Sequence, residues 1–330
     1  MKDPAPRSPS SSPWGVLSLA LDTLLSQLQR AAWGRQQTAE RLLVAVLAEG
    51  HVLVEDVPGV GKTTLVRALA DSLGVETRRI QFTPDLLPSD VTGYTYYEPQ
   101  HREIVLRRGP VFTNLLLADE INRTSPKTQA SLLEAMEERQ VTIDGEVHAL
   151  PWPFLVCATE NPIEYEGTFP LPEAQLDRFL VCLRLGYPDA AAEMEVLTRP
   201  GREQRVERLG PAVSPEELRL AVEGAQAVPV GEPVARYALA VAARTRAHPS
   251  LLLGLSPRAV IAWMRAARAL AFLRGEEYVT PDHLRELAHD ALCHRLVVRP
   301  EPALRGVGAQ AVLEEALVAV PLPGVRAPLR

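Results

Sequence analysis

Lysine is almost missing from this 330-residue chain: of 35 basic residues only Lys2, Lys62 and Lys127 are lysines. Where arginine is the default cation, a lysine inside a glycine-rich turn points to a task for which a compact ammonium suits better than a guanidinium fork. Cysteine is equally scarce. Cys157, Cys182 and Cys293 stand far apart in sequence, without a disulfide framework or paired metal-ligand spacing, and read as buried thiols of a reducing cytoplasm. No apolar run approaches the roughly 18 residues of a bilayer crossing, so no membrane insertion is expected. Positive charge is not in excess either. A net charge of −6 offers no global attraction for nucleic acid, although a local basic stripe is compatible with it.

What is present is a chain with 46% apolar residues, enough for sizeable cores in about two domains. Residues 1–13 are Pro/Ser-rich and expected to be disordered. The apolar stretch that follows, Trp14 to Leu21, is broken by Asp22, and Val16 to Leu28 has the spacing of an amphipathic helix rather than of a signal segment.

The most informative segment is Asp56-Val57-Pro58-Gly59-Val60-Gly61-Lys62-Thr63-Thr64, directly after the apolar run Val52-Leu53-Val54. A strand feeding a Gly-rich turn and then a helix aims backbone N–H groups at one point, where the helix dipole adds positive potential. In that arrangement Pro58 to Thr64 cradle phosphates, Lys62 neutralises β- and γ-phosphate charge and the Thr63 hydroxyl reaches magnesium. The strict pattern has glycine where Asp56 stands.

From about residue 36 to 186, helical patterns alternate with short apolar strands at Val52–Val54, Arg79–Phe82, Leu115–Ala118, Phe154–Thr159 and Leu180–Leu185. The alternation predicts an α/β domain with a parallel sheet covered by helices, over residues 14–188. Two insertions interrupt it. Residues 91–108 have β-rich flanks around Glu98-Pro99-Gln100-His101, and residues 140–149 centre on the hairpin signal Asp144-Gly145. Beyond Pro188 the strand signals fade. Helices are predicted near 189–199, 215–227, 232–247, 257–274 and 281–292, an all-helical domain over 189–300, followed by a tail, 301–330, with a short helical stretch at Ala311–Val318. Ser214-Pro215-Glu216-Glu217 and Thr280-Pro281-Asp282 carry a cap residue, proline at the first helical position and acids in the first turn.

Leu115-Leu116-Leu117-Ala118 ends abruptly in Asp119 and Glu120, and buried acids at a strand's C-terminal end need a reason. Beside a phosphate loop, Asp119 holds magnesium and Glu120 polarises the attacking water. Asn161 ends the next apolar strand, where an amide can orient that water; Asn before Pro162 also reads as a turn former. Arg178 precedes the last strand and Arg258 opens a helix of the second domain; each is either a surface ion-pair partner or a source of charge for phosphoryl transfer.

Together these segments resemble the MoxR family of AAA+ ATPases, in the clade with an insertion in the second core helix. The likeness covers about residues 33–300 through EDVPGVGKT at 55, FTPDLLPSDVTG at 82, GPVFTNLLLADEINR at 109, PKTQASLLEAMEERQVTIDG at 126, ATENPIEYEGTFPLPEAQLDRF at 158 and LSPRA at 255. It implies an αβα core, a helical lid and a homo-oligomeric ring, commonly a hexamer, with Mg2+ and ATP between neighbours. By position, Pro58, Gly59, Val60, Gly61, Lys62, Thr63 and Thr64 resemble the phosphate loop, Asp119 and Glu120 the magnesium and catalytic acids, and Asn161 the first sensor. Arg258 resembles the lid's sensor arginine and Arg178 the finger that reaches a neighbour's ATP, with Arg123 in reserve for that role. Residues 91–108 match the helix-2 insertion and 140–149 the pre-sensor hairpin; Trp33-Gly34-Arg35-Gln36 is a loose version of the Gly-Gln segment near adenine.

The implied activity is a chaperone-like remodelling ATPase in which hydrolysis loosens the joint between subunits, the lid turns on the core and the hairpins move a protein client. Tyr94, Tyr96 and Tyr97, three of seven tyrosines, sit in one insertion and read either as client contacts or as packing on their own subunit. A partner with a von Willebrand factor A domain is implied by the family alone. Rival readings are a nucleic-acid translocase with a foothold at His101, Arg102, Arg107 and Arg108, and a nucleotide-gated scaffold with little hydrolysis.

Overall fold

The computed structural model describes residues 13–32, 35–55, 61–161, 167–186, 194, 198 and 210–323. Pro58, Gly59 and Val60 lie outside the described residues, as does the helix expected at 189–199 apart from Met194 and Thr198.

The first domain runs α1 (Pro13–Ala31), α2 (Gln36–Leu47), β1 (His51–Glu55), α3 (Lys62–Leu73), β2 (Thr77–Gln81), α4 (Pro88–Thr92), β3 (Gly93–Glu98), β4 (Glu103–Arg108), β5 (Leu115–Asp119), α5 (Pro126–Glu138), β6 (Gln140–Ile143), β7 (Glu146–Ala149), β8 (Leu155–Glu160), α6 (Glu173–Leu176) and β9 (Phe179–Leu183). Five strands form one parallel sheet in the order β2-β5-β8-β1-β9. The central strands are apolar throughout because both sheet faces are covered, the habit of parallel sheets. Alternation still decides which face each side chain joins. Val52, Val54, Leu115, Leu117, Leu155 and Cys157 point into one cluster with α1, α2 and α3. Leu53, Leu116, Ala118, Val156 and Ala158 point into the other, with Leu132, Leu133 and Met136 of α5.

Both insertions are hairpins. In the first, β3 and β4 pair from Gly93↔Arg108 to Glu98↔Glu103. Gly93 has φ +95°, and a Cβ there would lie 2.2 Å from the Arg107 carbonyl oxygen, so only glycine lets the two strands close at the base. In the second, Asp144 and Gly145 both have positive φ, the primed turn that two-residue hairpins favour. A hydrogen bond from the Thr95 hydroxyl to Asp144 ties the hairpins together.

The second domain comprises α7 (Pro215–Ala227), α8 (Glu232–Arg246), β10 (Leu251–Leu253), α9 (Pro257–Leu273), α10 (Pro281–Leu292), β11 (Val297–Val298), α11 (Pro300–Leu304) and α12 (Ala309–Ala319). The capping residues read from the sequence do their work: Ser214 accepts from Glu217 N–H and Thr280 from His283 N–H. Within this helical domain Leu251–Leu253 pairs antiparallel with Val297–Val298, a ladder too short to leave an alternation signal. Past residue 300, Val312, Leu313, Ala316 and Leu317 of α12 are buried against the domain's helices.

The two domains share one apolar cluster, which runs from the sheet through α2 to Trp263 at the centre of the helical layer. Trp263 is fully buried, and its indole N–H donates to Leu284 O over 2.8 Å. Charge reinforces the junction. Arg41, 4% exposed, meets Glu40 at 2.9 Å, Glu286 at 2.9 Å and Asp290 at 3.0 Å, and Arg274 meets Glu40 and Glu286 from the other side. A turn of the helical domain on its core, the movement expected above, would have to break this network. Among the described residues no helix is long and apolar enough to cross a membrane.

Candidate functional site

Because the sheet is parallel, all five strands end on one edge, and that edge gathers most of the chemistry-bearing residues. β1 ends at Glu55, and Gly61, with a left-handed backbone (φ +89°), opens α3 with Lys62, Thr63 and Thr64 in its first turn. Glu55 stands beside Glu160 on β8, so Asn161 follows one residue past the end of β1. On the next strand over, Ala118 pairs with Ala158, which sets Asp119 level with Thr159. Neighbouring strands are about 4.8 Å apart, so the helix N-terminus, Asn161 and the two acids lie along one edge of the sheet. The arrangement joins a helix dipole, an ammonium and hard carboxylate oxygens, a set suited to phosphate and magnesium.

The acids are held by residues that sequence reasoning missed. The Asp119 carboxylate accepts from Arg79 Nε at 2.6 Å and from the Thr159 hydroxyl at 3.2 Å; Thr159 Oγ1 in turn accepts from Glu120 N–H at 2.9 Å. Glu120 adopts a left-handed backbone (φ +56°), and its Oε2 accepts from Gln81 Nε2 at 2.7 Å and Arg123 NH1 at 3.0 Å. Arg123, the reserve finger, therefore lies against the acids of its own chain. Arg79 and Gln81 sit two apart on an exposed edge strand in register with β5, Gln81 opposite Asp119. Their period-2 polarity was the available signal. Asn122 Nδ2 donates to Asn161 O at 3.5 Å, and Gln129 Nε2 donates to Ile121 O, Thr124 O and Phe169 O, which fixes the turn after the acids.

Glu160 is the electrostatic outlier of this edge. Burial, and then the charge of Glu55, push its carboxyl up to about 7, and its Oε2 has no hydrogen-bond partner. Glu55 itself pairs with Arg184 at 2.8 Å.

Arg178 and Arg258 lie elsewhere. Arg178 immediately precedes β9, whose first residue, Phe179, pairs with His51, the first residue of β1. It is thus on the opposite, N-terminal edge. Five residues of strand at about 3.3 Å each separate that edge from the one carrying Lys62, and Asp119 lies three strands away as well, so the two are on the order of 20 Å apart. The end of α5 reaches the same edge, where His51 Nε2–H donates to Met136 O at 3.0 Å and Nδ1 accepts from Val156 N–H at 3.0 Å. Burial lowers the His51 pKa to about 4, so the ring that makes both bonds is neutral.

Next to Met136, Glu137 meets both arginines: Oε2 lies 3.0 Å from Arg178 Nε and Oε1 accepts from Arg258 NH1 at 2.9 Å. The Arg178 contact is an ion pair without hydrogen-bond alignment. Nearby, Asp177 accepts from the Ser256 hydroxyl at 3.1 Å and from Arg295 Nε at 2.7 Å, binding the last strand to the helical domain.

The chain is similar to known proteins over most of its length. Residues 51–181 match the model of the ATPase family associated with various cellular activities (AAA), and residues 243–316 match the AAA lid domain, which reaches into the helix at 309–319. Chaperone MoxR1 of Mycobacterium tuberculosis is 39% identical over 93% of this chain and 83% of its own length. The protein YeaC of Bacillus subtilis is 48% identical over 94% of this chain and 97% of its own. The crystal structure of a candidate ATPase from Cytophaga hutchinsonii superposes with a TM-score of 0.87 at 36% identity, covering 93% of this chain and 96% of that one.

Proposed function

The chain belongs to the MoxR family of AAA+ ATPases, and from that premise we propose that it hydrolyses ATP with magnesium at sites completed between the subunits of a homo-oligomeric ring, a hexamer as its family implies, to remodel protein clients. The observation that carries the proposal is the split of the site across the sheet. Lys62, Asp119, Glu120 and Asn161 stand on one edge and Arg178 with Arg258 on the other, too far for either arginine to reach the phosphates of its own chain.

In this reading Pro58 to Thr64 hold the triphosphate, and Thr63 and Asp119 hold magnesium, which offsets charge on the β- and γ-oxygens when bound. The residues supply the rest. Lys62 neutralises phosphate charge from the helix N-terminus. Arg79 and Thr159 hold the Asp119 carboxylate in place. Glu120 orients the attacking water and takes its proton once the bonds from Gln81 and Arg123 are released, while Asn161 fixes the water's position. Arg178 and Arg258 of the neighbouring subunit enter from outside and stabilise charge as it develops in transfer. Since the lid is bound to its own core through Arg41, the movement set off by hydrolysis is carried between subunits, and the tied pair of hairpins passes it to the client.

The named homologue is a chaperone, which supports a protein client; the family implies a partner with a von Willebrand factor A domain. The three free cysteines accord with the cytoplasm. The test is Glu120→Gln, expected to bind ATP with wild-type affinity, to lose turnover by about 10² or more, and to retain the partner and client in ATP. Wild-type turnover would refute the role of Glu120; a pull-down from the native cell with no von Willebrand factor A domain protein enriched would refute the partner.

A further inference from the structure

The N-terminal edge of the sheet is crowded with guanidinium. Among the described residues, Arg139, Arg178, Arg258, Arg265 and Arg295 gather around Glu49, Glu137 and Asp177, five positive charges to three negative, a surplus of two in this group. The crowding is felt: burial and then Arg139 push the Arg265 pKa down, and Arg258 and Arg265 both act against the charge of Arg295. Three of the five arginines are spoken for. Arg139 is bound to Glu49, Arg265 to the Ala48 and Glu49 carbonyls, and Arg295 to Asp177 and the Phe179 carbonyl.

Among the described residues, Arg178 and Arg258 meet Glu137, each by one nitrogen to one carboxylate oxygen. Arg178 is engaged at Nε, on the inner side of its fork, which leaves its two terminal nitrogens in the geometry that grips a phosphate. The carboxylate also joins two domains, since Glu137 ends α5 of the core, Arg178 precedes the core's last strand and Arg258 opens the first turn of lid helix α9.

We infer that Glu137 is a positioning residue for hydrolysis in the neighbouring subunit, setting Arg178 of the core and Arg258 of the lid at one spacing so that both reach the neighbour's nucleotide together. The inference rests on the proposed split site. Glu137 itself touches no nucleotide; it acts through the two arginines. A shared anion between two long side chains lowers the entropy lost when both meet a third group, and a misplacement of about 1 Å in such groups costs about 10² in rate.

The test is complementation in mixed rings. Glu137→Ala is expected to lower turnover by about 10² while the affinity of its own site for a fluorescent ATP analogue stays within about twofold of wild type. Glu137→Gln, which keeps the size but loses the charge, falls with it, and Glu137→Asp recovers part of the rate. Glu137→Ala keeps Glu120, and Glu120→Gln keeps the arginine clamp. Mixed one to one, the two inactive proteins therefore form competent interfaces wherever an alanine subunit holds the nucleotide and a glutamine subunit supplies the arginines, about a quarter of all head-to-tail contacts.

Recovery of roughly that fraction of wild-type turnover supports the inference. Wild-type or raised turnover in Glu137→Ala overturns it, as does a loss that mixing does not restore while Arg178→Ala mixed with Glu120→Gln does regain activity. If neither mixture regains activity, it is the split site itself that fails, and the inference falls with it.

Discussion

Replacing Glu160 by glutamine should make the protein more stable at pH 8 and leave it little changed at pH 5. Glu160 sits at the end of β8, opposite Glu55, with one carboxylate oxygen buried and unpartnered. Burial first, and then the Glu55 charge, raise its pKa from 4.5 to about 7. A carboxylic acid whose pKa rises on folding binds protons more tightly in the native state than in the unfolded one. Its ionisation therefore costs nothing below about pH 4.5, costs progressively more up to about pH 7, and costs the full amount above that. A rise from 4.5 to about 7 corresponds to about 3.4 kcal/mol at most. The part of that which accrues between pH 5 and pH 8, reduced for the fraction of the group in contact with solvent, is about 2 kcal/mol.

Glutamine has the same shape and does not ionise, so the variant should escape this cost. The assay is thermal unfolding of the nucleotide-free protein from pH 5 to pH 8.5. Wild type should lose ground to the variant as pH rises, reaching a gap of roughly 4 °C at pH 8, since about 1 kcal/mol moves Tm by about 2 °C in a chain of this size. A gap that is constant with pH, or a variant less stable than wild type at pH 8, would refute the reasoning.

Arg41→Ala removes the cation that Glu40, Glu286 and Asp290 share at the junction of core and lid, and should cost about 3–5 kcal/mol, seen as an early unfolding transition in urea. The same network gives acid sensitivity: hydrogen bonds from Arg274 hold Glu286 down near 2, so its contribution is full above about pH 4.5 and is lost as pH falls toward 2, a loss that Glu286→Gln should abolish in an acid titration of stability. Tyr94, Tyr96 and Tyr97 remain 40%, 41% and 60% exposed in the chain, as client contacts require, and replacing all three by alanine should leave ATP turnover intact while lowering remodelling of the client; unchanged remodelling would assign them to the hairpin alone.

Much of the fold was legible because buried parallel strands leave apolar runs that stop at polar ends. The runs at 52, 115 and 155 became the three central strands, and Asp119, Glu120 and Asn161 fell together because parallel register puts the ends of those strands side by side. Arg79 and Gln81 escaped notice since an exposed edge strand carries polar residues anyway, and only its pairing with β5 brings them onto the acids. Glu137 is one of several acids on an amphipathic helix, and nothing in its spacing marks it; its importance comes from where α5 ends. For the same reason the sequence could name Arg178 and Arg258 as candidates but could not say that both stand on the far edge of the sheet from Lys62. That needs the register His51↔Phe179.

The central claim is that each ATP site is built from two chains. The most direct measurement is ATP turnover as a function of protein concentration, for wild type and for wild type mixed with Arg178→Ala. The split site predicts specific activity that rises with concentration to a plateau, and a mixed population poisoned beyond its share of mutant. Specific activity independent of concentration, falling only in proportion to the mutant added, would mean that each chain hydrolyses ATP alone and would contradict the account.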